Sequence, residues 1–161
     1  VGHSGYFCSS SYGGALRASL AMVRDLKRRL GANVDILALS QRPMPEGMVY
    51  KLEQGGVGLY HWEGHLVLVG EAEEMGCALA ARRYDAVFSL SIEASLLRFA
   101  KSLSATRYYA MAHNYYLIPF GPFRNSEVQQ GHVELLCSLD AVLSPCRHHA
   151  RYLRQWCPQD G

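Results

Sequence analysis

Two places in this chain of 161 residues carry residue types and spacings suited to chemistry. The first is Ser11-Tyr12-Gly13-Gly14-Ala15-Leu16-Arg17, a paired-glycine turn that runs straight into an amphipathic segment. Adjacent glycines let the backbone approach an anion with no Cβ in the way, and the unpaired N–H groups of a first helical turn point toward it. The second is His113, which follows an apolar run, precedes Asn114 and opens the aromatic stretch Tyr115-Tyr116-Leu117-Ile118-Pro119-Phe120. An imidazole there can hydrogen-bond a sugar or phosphate oxygen, or act as acid or base near neutral pH. Neighbouring backbone can equally well satisfy it.

The elements that must position these residues follow from periodicity. Leu16, Leu20, Val23, Leu26 and Leu30 recur every three or four residues and predict a helix ending at Gly31. Val1-Gly2-His3 reads as the end of a strand, and Val34 to Leu39 as a full one. A breaker-rich loop, Gln41 to Gly47, precedes a short strand over 49–52, and strands over 58–62 and 65–69 join through a turn at Glu63-Gly64. Then come a helix from Glu71 to Arg83, a strand over 86–90, a helix from Ile92 to Ser102 and a β-rich run over 107–113. Ser126 reads as the N-cap of a helix reaching Leu139, and a strand over 141–144 precedes a helix from Arg147 to Trp156. This alternation predicts an α/β domain spanning 1–161, a single Rossmann-like, doubly wound and mainly parallel sheet with helices on both faces.

Ligands in such a sheet collect beyond the carboxyl ends of the strands. That rule selects His3, Gly13 and Gly14, Ser40, Ser91 with Glu93, His113 with Asn114, and Ser144. The serines also suit caps and turns, the role that Ser40, Ser91 and Ser144 are expected to fill.

Composition narrows the function classes. A chain that is 49% hydrophobic and 19% charged is neither disordered nor fibrous. A formal charge of +2 gives no bulk argument for nucleic acid. Arg24, Lys27, Arg28 and Arg29 close the first helix, where cations complement the helix dipole. No apolar run reaches the roughly 18 residues of a membrane span, and no secretory pattern opens the chain, so a cytoplasmic protein is expected. The five cysteines are odd in number and lack a CxxC pair, which argues against a disulfide framework or zinc ribbon. Cys146, His148, His149 and Cys157 fit no usual metal spacing. GxSxG, Walker A, HExxH and GxGxxG patterns are absent.

Four stretches carry a family resemblance: Tyr12-Gly13-Gly14-Ala15, Tyr84-Asp85-Ala86-Val87-Phe88-Ser89-Leu90-Ser91, Ala110-Met111-Ala112-His113-Asn114-Tyr115-Tyr116, and Leu139-Asp140-Ala141-Val142-Leu143-Ser144-Pro145. In their order, over nearly the whole chain, they resemble the N-terminal domain of a family four glycosyltransferase. These are retaining, nucleotide-sugar-dependent enzymes of the GT-B fold, two Rossmann-like domains facing a cleft. The resemblance implies that Gly13 and Gly14 approach the donor diphosphate and that His113 contacts the transferred sugar as the catalytic-site residue. Ser91, Glu93, Asn114, Tyr115 and Ser144 become the acceptor-side candidates.

The chain departs from the family pattern where histidines often stand in the strand aligned with Phe88 to Leu90, at Asn114 in place of Asp, and at Cys146 in place of Ser. The family's second domain, which supplies most nucleotide contacts and neutralises the leaving diphosphate, has no counterpart in these residues. The resemblance therefore implies an excised domain, a subunit of a split enzyme or a relative kept for binding, inactive as an isolated piece. Implied partners are a nucleotide-sugar, a glycan, lipid or small-molecule acceptor, and a C-terminal Rossmann-like domain in cis or in another subunit. No cofactor, metal or nucleic acid is implied, and a lipid acceptor would bring the domain to a membrane surface. The alternative is a non-catalytic Rossmann-like interaction module docking through Tyr115, Tyr116, Phe120 and Phe123.

Overall fold

A computed structural model describes residues 1–3, 14–39, 51–52, 56–62, 65–123 and 131–157. The chain is α/β and divides into two compact units, residues 1–81 and 82–161.

In the first unit, β1 (Gly2–His3), β2 (Ile36–Leu39) and β5 (His65–Gly70) pair in parallel, with α1 (Gly14–Leu30) lying between β1 and β2 in the chain. The sheet continues antiparallel through β4 (Gly58–Trp62) to β3 (Lys51–Leu52), giving the order β1-β2-β5-β4-β3. Only residues 63 and 64 connect β4 to β5, far fewer than the dozen or more that a parallel crossover needs, so the pair forms a hairpin. Every residue of β2 is buried, as in a parallel strand covered on both faces. At the basic end of α1, Arg28 and Arg29 pair with Asp25 at 2.8 and 3.5 Å, and Lys27 Nζ lies 3.2 Å from His65 Nδ1. The cluster is thus a helix end with local partners. Downstream, α2 (Ala72–Leu79) stops four residues short of the expected Arg83, where the Ala80 N–H turns back to the Cys77 carbonyl.

In the second unit, β6 (Tyr84–Ser89), β7 (Ala105–Met111) and β8 (Ala141–Leu143) form a three-stranded, wholly parallel sheet in the order β6-β7-β8. Its helices are α3 (Ala94–Ser102), α4 (His132–Cys137) and α5 (Arg147–Trp156), with a 3-10 turn at Tyr115–Leu117. Parallel strands with helical connections are compatible with a Rossmann-like fold. The expected continuous sheet is corrected by the hydrogen bonding, which forms one mixed and one parallel sheet among the described residues. Ser126, the expected N-cap, lies outside the described residues; α4 begins after Gly131, whose φ is +74°. β7 ends at Met111, leaving His113 beyond the strand.

The core of this unit is Ile92, Leu97, Ala110, Ala112, Ile118, Phe120, Leu136, Tyr152 and Leu153. Ala110 and Ala112 are fully buried, and their small side chains leave room for the larger residues around them. His132, from α4, reaches the Ile92 carbonyl at 2.6 Å through Nε2. No helix of the described residues is long and apolar enough to cross a membrane.

Gly121 fixes the loop after the 3-10 turn. Its φ is +79°, and a Cβ there would run into the Tyr152 hydroxyl. That hydroxyl donates to the Phe120 carbonyl at 3.1 Å and accepts from the Phe123 N–H at 2.9 Å, so it has little freedom to withdraw. Gly121→Ala is expected to destabilise the protein by about 3 kcal/mol through backbone strain and overpacking together. Urea unfolding checks this, and an unchanged midpoint would refute the clash.

Candidate functional site

Because β6, β7 and β8 run the same way, the segments that follow them emerge at one edge of their sheet. After β6 the polar groups are absorbed locally. Ser89 Oγ donates to the Ser91 carbonyl at 2.6 Å, and Ser91 Oγ accepts from the Glu93 N–H at 3.3 Å and donates to Glu93 Oε1 at 3.4 Å. Ser91 is buried and Glu93 stands at the N-cap of α3, so both serve the turn, the role expected of Ser91. Ser144, after β8, likewise donates to the Cys146 carbonyl at 3.1 Å. Asn114 stands extended, with φ −133°, before the 3-10 turn.

His113 and Tyr115 behave differently, and they are joined by a residue that strand-end reasoning missed. His149 lies in the first turn of α5, where its N–H points to Cys146 Sγ at 3.5 Å. With Tyr152 and Leu153 it makes an i, i+3, i+4 set, the buried face of the helix, and His149 is only 2% exposed. The Tyr115 ring packs on His149 with centroids 4.3 Å apart and stands edge-on to Tyr152 at 5.2 Å. Phe123 and His148 flank it at 5.9 and 6.3 Å.

Three polar atoms of this cluster are buried without a hydrogen-bond partner: His113 Nε2, Tyr115 Oη and His149 Nε2. Burial holds the His113 imidazole below its ordinary pKa. Burial does the same to His149, opposed by a hydrogen bond to the Ala112 backbone and reinforced by the charges of His113 and His148. Tyr115 is pushed up by burial first, then by Cys146 and Tyr152. All three groups are thus held toward their neutral forms. With the Ala112 carbonyl taking a ring N–H and Nε2 unpartnered, we assign that proton to His149 Nδ1. Nε2 is then an acceptor, and the neutral Tyr115 phenol a group that can donate or accept. These three donors and acceptors are uncharged and unpaired, and each of the three atoms is buried.

The other expected features fall as follows. Gly14 opens α1, exposed, and a Cβ built on it meets nothing within 4 Å. Gly13 and Ser40 lie outside the described residues. Of the proposed aromatic docking face, Phe120 is 7% exposed and belongs to the core, which corrects that expectation; Phe123 is 63% exposed. Tyr115 is half-buried within the ring cluster. Cys146, His148, His149 and Cys157 do not converge: among the described residues no group of three or more His, Cys, Asp or Glu could hold a metal ion. His149 was legible only through its α5 face with Tyr152 and Leu153. Comparison with family models, curated proteins and solved structures found no match to the chain.

The lowered histidines set a pH dependence. An imidazole depressed in the fold takes up its proton less readily than in the unfolded chain, so acid favours unfolding. The stability is whole above the ordinary value of 6.5 and falls as pH drops from there toward the depressed native values. The urea midpoint of the wild type should therefore fall between about pH 7.5 and about pH 5.5, and that of a His113→Gln/His149→Gln variant should fall less. Equal falls in both proteins would exclude the cluster as the source.

Proposed function

We propose that the chain is the acceptor-side, Rossmann-like domain of a retaining, nucleotide-sugar-dependent glycosyltransferase of the GT-B architecture. The observation that carries this reading is the set of three unpartnered polar atoms on His113, Tyr115 and His149, beside the carboxyl edge of a parallel sheet. That edge is where α/β sheets hold ligands, and neutral rings with open donors and acceptors fit sugar hydroxyls. The order of the four family-like motifs supports the same reading. So does each unit taken alone, since each carries neighbouring parallel strands with a helix between them in the chain, as a mononucleotide-binding half does.

On this reading His113 hydrogen-bonds the transferred sugar, while Tyr115 and His149 hold hydroxyls beside it. The family resemblance assigns the donor diphosphate to Gly13 and Gly14. A second Rossmann-like domain, in the same polypeptide or in a partner subunit, supplies the remaining nucleotide contacts. The anomeric configuration is retained in the product. The interaction-module reading is left with Phe123 as the exposed aromatic among the described side chains of the loop.

The test is turnover in the enzyme assembled with its donor-binding domain. His113→Ala is expected to lower release of nucleoside diphosphate from the sugar donor by about 100-fold or more, with an unchanged circular dichroism spectrum. Wild-type release from that variant would remove His113 from the chemistry.

A further inference from the structure

Cys137 is the last residue of α4 and Cys157 the residue that caps α5. Their Sγ atoms lie 3.8 Å apart, although 20 positions separate them in the chain. The contact is made by packing of two helices, not by chain proximity. Cys157 is held from both directions: its N–H donates to the Leu153 carbonyl at 2.9 Å, and its side chain packs against the core. It also lines an apolar hollow of about 240 Å³ with Phe120, Leu136, Val142 and Leu153. Cys137 is exposed and Cys157 half-buried. Joining the sulfurs requires a bond of about 2.05 Å, hence an approach of about 1.8 Å shared between two side chains.

We propose that Cys137 and Cys157 are a thiol pair that a low-molecular-weight disulfide converts into an intramolecular disulfide, fastening the end of α4 to the end of α5. The step proceeds in two exchanges. The more exposed Cys137, as thiolate, attacks one sulfur of glutathione disulfide, expels one glutathione thiolate and becomes a mixed disulfide. The Cys157 thiolate then attacks Cys137 Sγ and expels the second glutathione. The two cysteines give up two protons and two electrons, and the glutathione disulfide is reduced to two thiols. The cross-link closes a loop around β8 and α5 and restricts the unfolded chain, so it acts as a redox-set clasp on the second unit. For a unit of this size it should raise the melting temperature by roughly 5–10 °C.

The test treats the folded 161-residue chain with glutathione disulfide, blocks remaining thiols with iodoacetamide and maps peptides without reduction. The expected product is a Cys137–Cys157 linked peptide, lighter by two hydrogens, removed by dithiothreitol and accompanied by the higher melting temperature. Cys157→Ser should instead hold glutathione on Cys137. Exposed Cys77 and Cys146 report that the oxidant is competent. Glutathione on those two, with Cys137 and Cys157 alkylated or separately modified, would overturn the proposal. A cross-link that forms only in urea would overturn it as well.

Discussion

The parallel pairing of β6, β7 and β8 is the constraint on which the second unit depends. Strands that run the same way need long connections, and those connections carry α3 and α4, while α5 follows β8. Its register is held by a side chain as well as by the ladder. The Asp140 carboxylate accepts from the Tyr108 N–H at 2.8 Å and from Arg107 Nη1 at 3.1 Å, immediately before Ala141 pairs with Tyr109. Those contacts, the Tyr108 N–H foremost, hold its pKa below the ordinary carboxylate value. With β8 fixed against β7, the residues a few positions past each strand are fixed too. His113 leaves β7 and His149 enters α5 after β8, so one register brings two imidazoles to one cluster.

That cluster stands out against the way the same unit treats its other buried polar groups. Ser89, Ser91, His132 and Tyr152 are buried and all find partners, mostly backbone carbonyls and N–H groups of turns. Leaving a buried polar atom unpaired costs about 1–3 kcal/mol, a sizeable part of the 5–15 kcal/mol that separates folded from unfolded chains. Three such atoms fall in contacting or neighbouring rings of this one cluster. On the proposed reading, a fold that satisfies its polar groups elsewhere and concentrates the exceptions at a strand edge keeps them for a ligand.

Most elements were legible from the sequence because their signals are local. The α1 leucine stripe, the short apolar strands and the helix from Arg147 to Trp156 follow from spacing and caps alone. The expected α2 overran because its last residues, Ala80 to Arg83, are exposed and helix-compatible, while strand pairing claims the chain at Tyr84. Sheet membership was not legible, since pairing depends on which strands meet in space. His149 was missed for a related reason. A histidine that follows Arg147 and His148 in a polar run reads as surface, and only the face it shares with Tyr152 and Leu153 puts it inside. His113, by contrast, announces itself through the apolar run before it and the aromatic run after it.

The two regions singled out by the sequence differ in charge, and that difference bears on what each could hold. A helix start without acidic side chains in its first turn, as in α1, offers N–H dipoles to an anion. Glycine at position 14 is not demanded by crowding, since a Cβ there meets nothing within 4 Å, nor by a left-handed backbone. The His113, Tyr115 and His149 cluster is the opposite case: buried, held neutral and sterically crowded. Placing a phosphate against it would leave an anion facing a lone pair on His149 Nε2, whereas a hydroxyl can donate to that lone pair and accept from the phenol. On the proposed reading, charge goes to backbone and hydroxyls go to rings, a division that follows from the electrostatics of each region taken by itself.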